Sequence, residues 1–237
     1  VHKHFSKFDA DFIISKMLNA RSWTPENKYW GMTPDEIKAQ WSEAGSSAAA
    51  LGTELHYNIE CVMNEIAENN GTIGNLDNNN ERSGIGIRNS PEWSQFMSFL
   101  KDRVIQSNKL IPFRTEWIIF NEDIHLAGSI DMVFENADEP GTYSIYDWKR
   151  VKGINENKAT KPWTKFSSHP CLSHIPDTNY WHYALQLNIY QAILEEKYDK
   201  KITKLVLVRF HPNTDSFEET IVPNLQKEVI ELFKTMV

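Results

Sequence analysis

Apolar positions in the first part of the chain recur at helical spacing. Phe8, Phe12, Ile13 and Met17 predict a short packed helix. The run "TPDEIKAQW" then marks a helix start, with Thr33 as cap, Pro34 at the first helical position and Glu36 closing a capping box. A longer helix is expected over 47–68, its apolar stripe formed by Leu51, Leu55, Ile59 or Val62, and Ile66. Residues 69–90, rich in Asn and Gly, read as a mobile loop. Ser90, Pro91 and Glu92 announce another helix.

The period then changes. Residues 112–120, 123–135 and 142–150 are strand-like runs, separated by "NE" and "NADEPG", both suited to hairpins. In the second run, alternation assigns Ile124, Leu126, Gly128, Ile130, Met132 and Phe134 to one face, and His125, Ala127, Ser129, Asp131 and Val133 to the other. A helix is expected over 178–198, an apolar strand over 202–210 and a last helix from Asn224. Helix, three strands, helix, strand is the pattern of one α/β domain, here with an N-terminal helical elaboration over 1–46 and the core over 47–237.

Composition narrows the possibilities. At 41% hydrophobic, 237 residues suffice for one sizeable core. No apolar run approaches the roughly 20 residues of a membrane span, and no membrane partner is expected. No signal peptide is visible, and a start at Val1 is compatible with a trimmed end or a place inside a larger protein. Two cysteines, Cys61 and Cys171, cannot build a disulfide framework, so an intracellular setting is the expectation. The Asn- and Lys-heavy composition is compatible with an AT-rich genome of viral or organellar kind. A net charge of −7 argues against nucleic-acid binding through overall charge. It leaves room for a local groove: the basic loop 150–175 and the strand end before it carry Lys149, Arg150, Lys152, Lys158, Lys161 and Lys165 against Glu156.

The third strand, "YSIYDWKR", holds the candidate chemistry. Asp147 and Lys149 share a face and Trp148 points the other way. Asp131 stands in an apolar strand, where a carboxylate is costly without a compensating cation or donor. A hairpin that brings Asp131 beside Asp147 creates a paired-carboxylate locus suited to a hard divalent ion, with Lys149 close enough to act on water or a phosphoryl oxygen.

Four short motifs occur in order: "GTELH" (52–56), "GSID" (128–131), "DWK" (147–149) and "QLNIY" (186–190). Together they resemble the PD-(D/E)XK nuclease superfamily in its RecB-like branch, over residues 47–211. The resemblance implies a restriction-endonuclease-like core: a mixed sheet with a three-stranded antiparallel meander, flanked by helices. It implies metal ligands at His56, Asp131, Asp147 and the Trp148 backbone carbonyl, a catalytic Lys149, and Gln186 and Tyr190 lining the site from one helical face. One or two Mg²⁺ or Mn²⁺ ions would be the cofactor. The iron–sulfur cluster of some relatives needs four cysteines and is not expected.

Other candidates carry weaker signals. Glu60, one turn after His56, and Glu116, in the first strand, are further metal ligands or surface ion-pair members. Arg114, Arg150, Lys152, Lys161 and Lys165 are candidate phosphate contacts. Trp163, Trp181 and Tyr183 are candidate platforms for unpaired bases. His169, Cys171 and His174 fall short of a soft-metal site because only one cysteine is near. The expectation is a metal-dependent deoxyribonuclease, exo- or endonucleolytic, acting on single strands or duplex ends through an activated water. Its rivals are an RNA endonuclease of cap-snatching type and a non-catalytic nucleic-acid-binding module.

Overall fold

The computed structural model describes residues 1–68, 85–154 and 164–236. Most of the predicted loop 69–90 lies outside the described residues, as do Glu156, Lys158, Lys161 and Trp163.

The three middle runs form the expected meander. Strands β1 (Leu110–Asn121), β2 (Leu126–Asn136) and β3 (Thr142–Lys149) pair antiparallel in sequence order. The first hairpin is wider than "NE" suggests. A single 3-10 turn, Glu122–Ile124, ends at His125 with φ +50°, so β2 starts at Leu126 rather than Asp123. The second turn closes through Gly141 at φ +79°, a conformation that favours glycine. From β3 the chain crosses through a long helix to β4 (Lys201–Arg209), which pairs parallel with β3 as a helical crossover permits. A short strand, β5 (Glu218–Ile221), completes the sheet antiparallel to β4. Sequence reading missed it, because four residues at a sheet edge carry too little alternation to register.

Helices cover both faces. Among the described residues they are α1 (Ala10–Leu18), α2 (Pro34–Glu68), α3 (Ile85–Arg88), α4 (Pro91–Phe99), α5 (Asn179–Lys197) and α6 (Gln226–Lys234). Helix α4 continues into a π-helical turn, Leu100–Gln106. The predicted caps form. The Thr33 N–H donates to Glu36 Oε2 (2.7 Å) and the Glu36 N–H to Thr33 Oγ1 (3.3 Å), while the Trp93 N–H donates to Ser90 Oγ (3.2 Å).

Two helical expectations need correction. Helix α2 is one 35-residue rod rather than two helices, because the Ser- and Ala-rich run between them contains no breaker stronger than Gly45. In α1 the buried residue is Ile14, whereas Phe8, Phe12 and Ile13 are exposed, and Leu51 on α2 is exposed as well. These positions have helical spacing, yet they stay exposed among the described residues.

Each sheet face has its own core. On one side, α5 and α6 pack over Trp117, Ile119, Ile130, Ile145 and Leu207. On the other, α2 and α4 pack over Met132, Phe134, Tyr146, Trp148 and Val208. Trp148 is the hub of the second core, with rings of Phe99, Phe210 and Phe96 at 5.4, 5.9 and 6.4 Å. It turns away from Asp147 and Lys149, as alternation requires.

Candidate metal centre

Strict alternation fails at one level of the sheet, and the polar cluster sits there. In β2, Ile130 packs under α5 while Met132 and Phe134 pack under α2 and α4, although even-numbered residues of a regular strand share a face. In β1 the break falls at Glu116, whose φ is +40°. Beyond it Trp117 faces α5, whereas the Thr115 hydroxyl donates to Asn64 Oδ1 on α2 (2.8 Å). A non-glycine residue in the left-handed region is strained, and such residues concentrate at functional sites. The result is that Glu116 and Asp131 both turn toward α2.

There they meet His56. Ligand atoms of His56, Glu116 and Asp131 all lie within 4.8 Å of one another. His56 Nδ1 is 3.6 Å from Asp131 Oδ2. Its Nε2 lies 3.0 Å from the Trp148 carbonyl, which can only accept, so Nε2 carries the proton and Nδ1 keeps a lone pair for a ligand. Burial, and then the Lys149 charge, hold the His56 pKa below its ordinary value, which keeps the ring neutral.

The ladder between β2 and β3 stops at Met132 and Tyr146. One step further, the Trp148 N–H donates to Asp131 Oδ2 (2.8 Å) instead of to a strand carbonyl. The carboxylate thus holds the two strands together where they part. Burial, reinforced by the nearby Asp147 charge, raises the Asp131 pKa well above the usual carboxylate range. Such a group ionises more readily with a cation beside it.

Asp147 and Lys149 approach the same gap from the α5 side. Asp147 is only 2% exposed, and Lys149 Nζ lies 2.5 Å from its Oδ2. The same ammonium sits over the Tyr183 ring, 4.6 Å from its centroid. Burial opposes charge on Lys149, but Asp147 and Asp131 outweigh it and hold its pKa above the ordinary lysine value. The Asp147 carboxylate stands outside the 4.8 Å group.

Gln186 and Tyr190 enter from α5. The Gln186 amide donates to the Tyr190 hydroxyl (2.8 Å), leaving that hydroxyl's own proton to donate elsewhere. The Tyr190 ring explains Gly128: a Cβ there would come within 2.4 Å of the ring. Gly52 is different, since a Cβ on it would meet nothing within 4 Å. It lies with Ala49, Thr53, Tyr57 and Glu60 along an open groove of about 630 Å³ that ends at His56 and Glu116.

The remaining candidates are dispersed. Glu60 lines the groove beside His56. Arg150 is turned inward, its Nε 2.8 Å from Glu92 Oε1, and both side chains are largely buried. Arg114 lies over the Trp117 ring at 5.1 Å. Lys152 and Lys165 are exposed, and Trp181 is half-buried against the α5 core. Lys161 and Trp163 fall outside the described residues. The His169–Cys171–His174 trio separates: His169 Nδ1 contacts Cys171 Sγ (3.1 Å) while His174 faces Glu228 (3.1 Å). Sequence reading overlooked Ser129, whose hydroxyl donates to Glu116 Oε2 (3.1 Å). Its place two residues before Asp131 was the available signal.

No family model matches the chain, and no curated protein sequence does. Among solved structures, a candidate exonuclease from Eubacterium rectale is similar at 15% identity, with a TM-score of 0.46, over 97% of this chain and 72% of its own. No helix among the described residues is long and apolar enough to cross a membrane.

Proposed function

We propose that this protein is a metal-dependent nuclease that hydrolyses phosphodiester bonds in DNA, with residues 47–237 as its catalytic core. The observation that carries this reading is the convergence of His56, Glu116 and Asp131 within 4.8 Å at the gap that Asp147 and Lys149 enter from the other face. One nitrogen and two carboxylate donors fit a divalent ion of the Mg²⁺ or Mn²⁺ kind, and the imidazole favours Mn²⁺. The neutral His56 with Nδ1 unprotonated is the form such an ion requires. Asp147 stands next to the set as a further oxygen donor. When bound, the ion supplies activation of water and neutralisation of phosphate charge.

The protein's own groups do the rest. Lys149, held as an ammonium by Asp147, stabilises charge on a phosphoryl oxygen of the substrate. Tyr190, its oxygen accepting from Gln186, donates its proton toward the substrate or an Asp carboxylate. The open groove along Ala49, Gly52 and Thr53, small residues that leave room beside His56, gives a strand access to the site. Tyr183 beneath Lys149 and the neighbouring Trp181 favour unpaired bases, hence single strands or duplex ends.

Timed digestion of end-labelled linear, circular and single-stranded DNA, and of matched RNA, tests this reading in Mn²⁺, Mg²⁺ and chelator. Metal-dependent cleavage of DNA that disappears in Asp131→Asn and Lys149→Ala proteins is expected. Resistance of circles would indicate exonucleolytic action. Cleavage of RNA alone would move the reading to a ribonuclease, and cleavage unchanged in both variants would sink it.

A further inference from the structure

Away from the metal centre, a second cavity of about 380 Å³ opens where the π-helical turn passes the start of β1 and the β4–β5 edge. Its volume lies in the range of small-molecule sites. None of His56, Glu116, Asp131 or Lys149 lines it. Leu110, Val206 and Ile221 make its apolar surfaces. Arg103, Lys109 and Lys204 stand around them against a single acid, Glu219. Arg103 is held by that acid at 2.7 Å, and Lys109 shares an exposed, 3.3 Å contact with Asp138. Lys204 has no ion-pair partner among the described residues. The cavity is therefore left with surplus positive charge.

Tyr146 supplies a second, independent sign. It is 5% exposed, it lines this cavity, and its hydroxyl has no hydrogen-bond partner among the described residues. The ring is buried but the hydroxyl is open to the cavity rather than sealed in the core, so it is free to donate to an acceptor oxygen arriving on a ligand. Burial, and then Glu219, push the Tyr146 pKa up, so the group remains an O–H donor at any ordinary pH. The π-helical turn that carries Arg103 into position is itself of a kind common at functional sites.

We propose that this cavity is a ligand site for a phosphate-bearing small molecule, and specifically a mononucleotide. The phosphate lies against Lys204 and Arg103, the ring rests on Leu110 and Val206, and a ligand oxygen accepts from the Tyr146 hydroxyl. The phosphate-and-ring chemistry follows from the cavity alone; the choice of a mononucleotide rests on the nuclease reading, whose exonucleolytic form would release such a product.

Isothermal titration in EDTA, where neither cleavage nor metal binding contributes, tests the site separately from the proposed reaction. The full chain would be titrated with dAMP, deoxyadenosine and inorganic phosphate. Binding of dAMP with Kd below roughly 1 mM is expected, with phosphate and deoxyadenosine each at least about tenfold weaker. Tyr146→Phe, which keeps the ring and its packing, should weaken dAMP by about 3- to 10-fold. Lys204→Glu, on the exposed rim, should weaken it by at least about tenfold. Absence of dAMP binding, equal binding of phosphate alone, or affinity unchanged in Lys204→Glu would each overturn the proposal, whatever the outcome of the digestion assays.

Discussion

Trp148 and Asp147 are neighbours on one strand, both 2% exposed, and they face opposite ways. Trp148 enters a layer of aromatic rings that satisfy it by packing alone. Asp147 enters a space where its charge is met by Lys149, close to another costly carboxylate, Asp131. Burial is the same; its consequence is opposite. On the α2–α4 side, taking a side chain out of water stabilises the fold. In the gap between β2 and β3 it confines charges that the fold would be more stable without, and that a cation would relieve. A site that loses stability to keep charge in place is one where function has a claim on it.

Trp148→Ala should produce the largest loss of stability, about 3–5 kcal/mol, because it opens a cavity at the hub of the core. Chemical denaturation would measure it. Asp131→Asn should behave in the opposite sense. The amide can still accept the Trp148 N–H, and the buried charge is gone, so the metal-free melting temperature should hold or rise. Cleavage should nevertheless fall by at least about 100-fold. A destabilisation comparable to that of Trp148→Ala would erase the contrast between the two faces.

Adding Mn²⁺ sharpens the same contrast. At about 100 times its Kd the ion should stabilise the protein by about 2.7 kcal/mol, seen as a rise in melting temperature that EDTA reverses. The rise should vanish in Asp131→Asn and survive in Trp148→Phe. Gly128→Ala should cost about 1–3 kcal/mol through overlap with Tyr190. Coupling it with Tyr190→Leu should recover most of that loss, which a double-mutant cycle in urea would show. The smallest expected effect is that of Ser129→Ala. Loss of its hydrogen bond to Glu116 should weaken Mn²⁺ binding by about 3- to 10-fold, with little change in metal-free stability.

Much of this centre is legible in the linear sequence because its parts lie on regular elements. His56 and Glu60 are one helical turn apart, Gln186 and Tyr190 likewise, and Asp147 and Lys149 alternate around Trp148. Periodicity alone relates each pair. Glu116 is harder to read, because its turn toward His56 depends on a backbone that leaves the strand conformation at φ +40°. The same break places Ile130 and Met132 in different cores, against the alternation of their sequence positions. Arg150 looks like a phosphate contact beside a run of lysines, yet the approach of α4 turns it onto Glu92. Phe12 and Ile13 of α1 and Leu51 of α2 have the spacing of packed residues, yet they stay exposed among the described residues.

Local pattern therefore determined most of the helices and strands, where two capped helices begin, and which polar residues share a helical or strand face, since these follow from backbone geometry and capping within a few residues. The tertiary structure decided which carboxylates share a centre, which cations are free to meet an anion, and which face each strand presents at its break. Those outcomes depend on contacts between residues far apart in the chain, such as His56 with the Trp148 carbonyl and Asp131 with the Trp148 N–H. No local period encodes them.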